Sequence, residues 1–238
     1  PVSFKVEKRN IFLTDDEISA FLDAVKDIKS DKRWWLKVYV HLQLATFARV
    51  GELLALNWTD IDFENKTIAI NKQFDSVSLK MGKTKNNKIH TALPLSDDMI
   101  VLLKMFKLKC GACKMVFPNA HFFSKDERAR GRNNPDTSRM RHTSVHRLLK
   151  ILAEEAGMDP KRMSSHVLRK TAGDRLIRSG FTAHQVAHAL RIDAKTVLWT
   201  YSTLDVDAFN EKLSGFTMLK TGNGVAMNDN EAMEGEGN

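Results

Sequence analysis

The sequence has few cysteines, few tyrosines and no long apolar run, and these scarcities exclude several classes of protein. Two cysteines in 238 residues cannot build the disulfide framework of a small secreted protein, so we expect a reducing, cytoplasmic setting. No apolar stretch is long enough to cross a bilayer and no signal peptide is visible, so we expect no membrane partner. Tyr39 and Tyr201 are the only two tyrosines, and they stand far apart in the chain.

A metal site is poorly supported as well. Cys110 and Cys113 have the close spacing of zinc ligands, and His121 is a third candidate. A structural zinc needs four ligands, and no second pair is spaced to complete the set. We therefore predict free thiols in a loop, with no metal and no other cofactor.

Positive charge is abundant. The chain holds 37 Lys and Arg against 29 Asp and Glu, a net charge of +8. The last stretch, residues 221–238, is acidic and rich in Gly and Asn, so the rest of the chain is more basic than the total suggests and the tail should be disordered. A basic body favours a polyanionic partner, nucleic acid before membrane, over an ordinary basic protein.

Capping residues and apolar periodicity divide the chain into helices around one β region. Thr14 and Glu17 form a capping box in front of an apolar helical face. Residues 60–78 are rich in β-branched side chains, and residues 79–95 form a second predicted hairpin with its turn at 85–88. The order predicts a mainly α protein with a small antiparallel β-sheet insert, an α+β fold. Further helices are predicted over residues 34–47, 96–109, 138–156, 165–180, 182–191 and 206–219, with a segment capped by Asp193 that carries Tyr201.

Two pairs of side chains are candidates for binding an anion. His166 and Arg169 lie one helical turn apart, beside the apolar stripe of their helix, and supply both charge and hydrogen-bond donors. Arg49 is flanked by apolar residues, and Glu52 is placed to hold its guanidinium. Taken alone, the first pair is more often a solvated basic edge, and the second is equally compatible with a structural ion pair.

Two further signals stand on the hairpin and near the C-terminus. The hairpin carries four lysines, most of which should face phosphates or solvent, while one could be an acid placed at a groove. Tyr201 lies in the apolar segment TVLWTYSTL, where a packed tyrosine is the ordinary alternative to one that faces a cleft. The lysines are Lys80, Lys83, Lys85 and Lys88.

In this order and spacing, the signals resemble the catalytic domain of the tyrosine recombinases of phages and mobile elements, from about Phe12 to Thr203. The segment LATFARVGELLALNWTDIDF is similar to the family's first-arginine segment. KTKNNKIHTALPL is similar to the hairpin that carries the catalytic lysine, and HVLRKT to the H-x-L-R-[HK]-T motif. Tyr201, followed by Ser202, takes the place of the nucleophile.

The resemblance implies a site-specific recombinase or integrase with the catalytic-domain fold of that family. A tyrosine would cleave one DNA strand through a 3′-phosphotyrosyl intermediate and rejoin it to a partner strand. Two arginines would bind the non-bridging oxygens, a lysine would protonate the leaving 5′-oxygen, and a histidine would assist. The implied residues are Tyr201, Arg49, Arg169, Lys83 (with Lys85 as its rival) and His166, with Glu52 in support.

One position departs from the family pattern. Members carry a histidine or tryptophan nine residues before the tyrosine, and here Ile192 stands in that place and cannot donate a hydrogen bond. Arg191 and His188 are the candidate substitutes, with His184 more distant. The departure keeps open a non-catalytic DNA-binding protein of the same fold. A type IB-like topoisomerase is a second competing class, and a helical transcription regulator is a third.

The resemblance also implies an organisation and partners. Residues 1–12 would be a linker from an absent N-terminal core-binding domain, 13–203 the catalytic domain, 204–220 a helix exchanged between protomers, and 221–238 a disordered tail. We expect double-stranded DNA at attachment-type sites, a homotetramer on DNA, a monomer without it, DNA-bending accessory proteins and a bacterial host. The expected DNA contacts are Lys80, Lys85, Lys88, Arg128, Arg130, Arg132, Arg139 and Lys170.

Overall fold

The computed structural model describes residues 12–83, 92–119 and 139–201, and this part of the chain is mainly helical. Within these ranges, the 3₁₀ turns Trp58–Asp60 and Pro160–Arg162 join longer elements. No described helix is both long and apolar enough to span a membrane. The α-helices of the described residues are α1 (Asp15–Lys26), α2 (Trp34–Thr46), α3 (Val50–Leu54), α4 (Asp97–Cys110), α5 (His142–Glu155), α6 (Ser165–Arg178), α7 (Ala183–Leu190) and α8 (Ala194–Tyr201).

In the described part of the chain, two small antiparallel sheets follow α3. One sheet has the strand order β1-β2-β5, and the other is a hairpin of β3 and β4. Their presence confirms the predicted fold class, a mainly α protein with a small antiparallel β insert. The strands are β1 (Ile61–Asp62), β2 (Thr67–Ile68), β3 (Lys72–Asp75), β4 (Lys80–Lys83) and β5 (Leu93–Pro94).

The apolar helix α2 lies at the centre of the core. Its residues Trp35, Leu36 and Tyr39 are fully buried, and the helix packs against α1, α3, α4 and α6. Tyr39 meets Phe117 edge to face, with ring centroids 5.7 Å apart, a favourable aromatic geometry. A helix that is apolar on every side is stable only when other elements cover each side. The neighbouring helices therefore pack around α2.

Local capping signals place the helix starts correctly. The Thr14 hydroxyl accepts a hydrogen bond from the Glu17 amide and the Glu17 carboxylate accepts one from the Thr14 amide, as a capping box requires. Ser96 and Ser164 accept from backbone amides at the starts of α4 and α6, and Thr182 forms a capping box with Gln185 at α7. Each side chain satisfies amides that the helix itself leaves unpaired.

Two boundaries differ from the predictions. The helix predicted from residue 138 begins at His142, because Arg139 pairs with Pro118 in a β-bridge and the Met140 amide donates to the Phe117 carbonyl. The strand predicted to reach residue 78 ends at Asp75, whose carboxylate accepts from the residues after it and closes a tight turn into β4. The described strands after that turn pair β4 with β3 and β5 with β2, whereas the sequence predicts one hairpin over 79–95.

Several predictions lie outside the described residues. They are the linker at 1–11, the turn at 85–88, the helix at 206–219 and the tail at 221–238.

Candidate active site

A buried carboxylate holds Arg49 at the start of α3. Glu52 is 1% exposed, and its Oε1 accepts a hydrogen bond of 2.9 Å from Arg49 Nη1. Its Oε2 accepts from the Arg49 backbone amide at 2.8 Å, so one side chain orients both the main chain and the guanidinium. The Arg49 side chain keeps 33% of its surface exposed. Arg49 is therefore fixed at one edge and accessible to a ligand at the other.

Arg191 approaches the same carboxylate from the end of α7. Its Nη2 lies 3.0 Å from Glu52 Oε2, and its Nη1 donates to the Thr46 carbonyl at 3.2 Å. Burial alone would raise the pKa of Glu52, but the charge of Arg191 and the hydrogen bonds from Arg49 outweigh it and lower that pKa. The carboxylate therefore stays ionised between two guanidinium groups.

Arg169, on α6, is 5% exposed and is held at the same junction. Its guanidinium donates to the carbonyl oxygens of Phe47 and Leu190. The Phe47 carbonyl follows the last residue of α2, and a helix C-terminus carries partial negative charge that attracts cations. Arg169 therefore joins the ends of α2 and α7 beside the ion pairs of Glu52.

His166 is exposed one turn before Arg169. The pKa of its ring is lowered, first by partial loss of water around it, then by the positive charges of Lys170, Arg169 and Arg49. The positive charges of both segments that the sequence singles out, the one with Arg49 and the helix α6, therefore act on the His166 ring. It is neutral near pH 7 and can accept a proton.

The start of α6 is anchored by residues that the sequence does not single out. Gln43 Nε2 donates to the Ser165 carbonyl at 3.0 Å, and the Tyr39 hydroxyl lies 2.9 Å from Ser165 Oγ. All three side chains are buried. A glutamine four residues after a tyrosine in an apolar helix is the one sequence signal that marks this polar pair.

The two tyrosines have different environments along the chain. Tyr39 is fully buried in α2, and burial raises the pKa of its hydroxyl. The Tyr39 ring packs in the core, and its hydroxyl is hydrogen-bonded to Ser165. Tyr201 is the last residue of α8, which packs against α7 through a small apolar cluster that includes Val186, Leu190 and Val197.

The β3–β4 hairpin is packed tightly against α3. A Cβ on Gly51 would lie 2.9 Å from the Phe74 carbonyl oxygen, closer than real Cβ atoms come to backbone, so only glycine allows this approach. Lys83 ends β4 opposite Lys72, and Lys80, at the other end of β4, is exposed. Gly51 thus brings the strand that ends in Lys83 beside the segment that carries Arg49.

The remaining candidates are dispersed. Arg139 departs from the prediction of a DNA contact in an irregular loop: its guanidinium donates to the carbonyls of Leu54 and Leu56 and to Asn57 Oδ1, which ties the chain after α3 to the start of α5. Ile192 packs against the apolar cluster of α7 and α8. Lys170 is half-buried on α6, while His184 and His188 are exposed on α7. The candidates outside the described residues are Lys85, Lys88, Arg128, Arg130 and Arg132.

Cys110 is the last residue of α4 and Cys113 follows that helix, whereas the sequence predicts both in a loop. Cys110 and Cys113 are both buried where α4 ends. No cluster of metal-ligating side chains occurs among residues 12–83, 92–119 and 139–201, and His121 lies outside these ranges.

Comparison with known families gives one match over most of the chain. The profile of the phage integrase family matches residues 11–203. A tyrosine recombinase XerC-like protein of Caldanaerobacter subterraneus subsp. tengcongensis is 27% identical over 206 residues, covering 78% of this chain and 48% of that protein. A putative defective protein IntQ of Escherichia coli K12 is 25% identical, covering 93% of this chain and 57% of that protein. The chain spans about half the length of these curated relatives.

Solved structures share the fold. The Tn1549 transposon integrase in complex with a circular intermediate DNA superposes with a TM-score of 0.70 at 16% identity, over 88% of this chain and 67% of that one. The XerH site-specific recombinase bound to its difH substrate superposes with a TM-score of 0.65 at 20% identity, over 89% of this chain and 56% of that one. The architecture is retained although few residues are identical.

Proposed function

Since the chain belongs to the phage integrase family, the tyrosine recombinases, we propose that it is the catalytic domain of a site-specific DNA recombinase. The family prediction made from the sequence is thereby confirmed. One observation carries the proposal: Arg49 comes from one part of the chain and His166 and Arg169 from another, and the charges of both arginines act on the His166 ring while Glu52 holds Arg49. Guanidinium groups fixed before a ligand arrives are suited to a phosphodiester that gains negative charge during reaction.

In the proposed reaction, Tyr201 Oη attacks the scissile phosphorus and forms a phosphotyrosyl ester to the 3′ end. The bond from phosphorus to the 5′-oxygen breaks, and Lys83, or its rival Lys85, gives that oxygen a proton. His166, neutral near pH 7, assists by accepting a proton and by orienting the phosphate. The ester retains the energy of the original bond, so attack by a 5′-hydroxyl of a second duplex rejoins the strands without a nucleotide cofactor or a metal.

The two arginines have complementary roles in this proposal. Arg49, with its exposed edge, would bind one non-bridging oxygen, and Arg169 would leave a carbonyl partner to bind the other. Glu52 takes no part in the bond changes. It keeps Arg49 in place, so little reorganisation is needed as charge develops.

The proposed substrate is double-stranded DNA at attachment-type sites. The basic net charge of +8 supports a polyanionic partner, and similar folds are solved in complex with DNA. We propose assembly into a homotetramer on DNA from monomers, with DNA-bending accessory proteins, in the cytoplasm of a bacterial host. Lys80 and Lys170 are proposed backbone contacts, together with Lys85, Lys88, Arg128, Arg130 and Arg132.

The proposed arrangement of the chain follows the sequence predictions. Residues 13–203 are the catalytic domain, 1–12 a linker and 204–220 a helix that exchanges between protomers. A core-binding domain would complete the DNA clamp, which agrees with the chain spanning about half of its curated relatives.

A DNA-binding protein that does not cleave is the second candidate. Ile192, which cannot donate a hydrogen bond, favours it, and one relative carries the word defective in its name. The two candidates differ in a single product, a covalent protein–DNA adduct.

The test is adduct formation on a duplex that the protein demonstrably binds. The duplex carries a nick or a 5′-bridging phosphorothiolate, so that cleavage is trapped. We expect an adduct with the wild type and none with Tyr201→Phe. Tyr39→Phe, which removes the buried phenol hydroxyl at a cost of about 1 kcal/mol, should still form it.

The two tyrosine variants separate the outcomes. An adduct that survives Tyr201→Phe would refute the nucleophile assignment. Absence of an adduct with wild-type protein, on DNA that it binds, would favour the protein that binds without cleaving.

A further inference from the structure

The charges around Glu52 do not cancel. Glu52 carries one negative charge and lies against Arg49 and Arg191, at N–O distances of 2.9 and 3.0 Å. With Arg49 as its only partner, the carboxylate would neutralise the guanidinium that the proposed reaction needs. The second guanidinium leaves the trio with a net positive charge, so Arg49 can still attract an anion.

Arg191 is the buried partner of the carboxylate, and Arg49 is the exposed one. Its side chain is 3% exposed, whereas that of Arg49 is 33% exposed. Its described donors point to Glu52 and to the Thr46 carbonyl. A DNA phosphate would therefore meet Arg49 first, and Arg191 would act through Glu52.

The backbone at Arg191 adopts a conformation that favours glycine. Arg191 ends α7 with φ 52° and ψ 47°, in the left-handed region. Side chains with a Cβ are disfavoured there, and glycine is the usual residue at such a helix end. The contacts of the Arg191 side chain with Glu52 and the Thr46 carbonyl account for an arginine at this position.

Arg191 also lies between the anion-binding residues and the tyrosine. Two residues separate it from the start of α8 at Ala194, and α8 ends at Tyr201. Through Thr46 and Glu52 it joins this corner to the end of α2 and to α3, and Arg169 bonds the adjacent Leu190 carbonyl. The corner from which the tyrosine helix starts is thus held by the same groups that hold Arg49.

We infer that Arg191 is a positioning residue for DNA strand cleavage: it offsets the charge of Glu52, so that Arg49 remains an effective cation, and it fixes the start of the helix that carries Tyr201. The inference rests on the proposed function. It gives Arg191 a different role from that of a substitute donor for Ile192, because the guanidinium binds Glu52 and its side chain is only 3% exposed.

The first experiment compares Arg191→Gly with wild type in single-turnover adduct formation on the nicked duplex, which keeps the 5′-oxygen as leaving group. Glycine suits the backbone conformation, so a role in backbone shape alone predicts no loss. We expect the rate to fall by about 100-fold while DNA affinity changes by less than about threefold. Lys66→Gly is the matched control, because Lys66 is another left-handed residue (φ 52°) on the β1–β2 turn, and its rate should be unchanged.

A second variant tests the charge argument. In the Arg191→Gly background, Glu52→Gln removes the negative charge that Arg191 offsets but keeps an oxygen that can accept from Arg49. We expect the double variant to be about tenfold faster than Arg191→Gly alone. A structural role for Arg191 predicts the opposite, since a second lost contact would slow the reaction further.

The leaving group distinguishes positioning from proton donation. A 5′-bridging sulfur leaves without an acid, so it rescues a variant that lacks the proton donor. We expect the Arg191→Gly defect to persist on the phosphorothiolate duplex. Rescue there, or wild-type rates on both duplexes, would overturn the inference.

Arg191→Lys keeps the test decisive if Arg191→Gly does not fold. Lysine retains the positive charge, and we expect its rate to stay within about tenfold of wild type. A folded Arg191→Lys that loses about 100-fold would overturn the charge argument. Absence of any adduct with wild-type protein would instead count against the proposed function, so the two failures are distinguishable.

Discussion

At the scale of single residues, Glu52 is the group on which the site depends. It is buried and accepts hydrogen bonds from the Arg49 backbone, the Arg49 guanidinium and Arg191. Its folded-state pKa is lowered despite burial, so its stabilising contribution is present above the ordinary value of 4.5 and is lost as pH falls through the lowered pKa. Removing this buried carboxylate alone costs much free energy of folding, because the groups that donate to it stay in place without an acceptor.

Glu52→Ala should therefore destabilise the fold strongly. Removing the carboxylate leaves Arg191 buried without its counter-charge, and breaking such a pair costs about 3–5 kcal/mol. Glu155→Ala is the matched control, because Glu155 also binds an arginine, Arg33, through two hydrogen bonds but lies exposed. That surface pair is worth about 0–1 kcal/mol.

Urea unfolding of both glutamate variants checks this expectation. Equal losses of unfolding free energy would contradict the structural role given to Glu52.

At the scale of elements, the approach of β3 to α3 positions the hairpin. The backbone of β3 occupies the space that a side chain at Gly51 would need. His142 of α5 borders the same space, since its Nε2 would lie 3.5 Å from a Cβ added at Gly51. The Ser76 hydroxyl accepts a hydrogen bond from the His142 amide at 3.4 Å. Three elements therefore meet at one glycine, and the strand that ends in Lys83 takes its position from that contact.

Gly51→Ala should move the hairpin away from α3. The new Cβ would overlap a backbone oxygen that cannot rotate aside, so β3 must shift. We expect adduct formation to slow by about 10- to 100-fold, since a displacement near 1 Å at a reacting group has effects of that size.

Gly82→Ala, on β4, is the control for this change. Among the described residues, its Cβ would meet only Gln73 Cγ, at 4.0 Å, so the rate should not change. Equal rates for both alanine variants would show that α3 does not set the position of the hairpin.

At the scale of the whole molecule, histidines make stability depend on pH. The pKa values of His142, His146 and His166 are all lowered, in each case first by burial and then by neighbouring positive charge. The unfolded chain takes up protons at the ordinary value near 6.5, above the folded-state values. Stability is therefore retained at higher pH and is lost as pH falls below about 6.5.

We expect the melting temperature to decrease as pH is lowered from 7.5 to 5. The decrease should be smaller in the double variant His142→Gln, His146→Gln, because glutamine does not titrate. All other titrating groups are the same in the two proteins. The difference between their decreases in melting temperature is therefore due to the two imidazole rings. An identical decrease in both would contradict the assignment.

Much of the fold can be predicted because its signals are local. Thr14, Ser96 and Thr182 start helices where the sequence places them, since a cap involves only the adjacent turn. The predicted start of α5 is wrong by about four residues, because Arg139 enters a bridge with Pro118 that no local pattern encodes. The role of Gln43 escapes prediction for the same reason: its partner Ser165 is 122 residues away.

The sequence by itself determined the family, the mainly helical class and the candidate residues Arg49, His166 and Arg169, because these depend on motifs and short-range periodicity. Only the tertiary structure showed that Glu52 is shared between Arg49 and Arg191, which lies 139 residues further along the chain. It also placed Arg191 against the protein's own carboxylate, and the positioning role inferred for this residue rests on that contact. Burial and contacts between distant segments decide such roles, and they arise only when the helices pack.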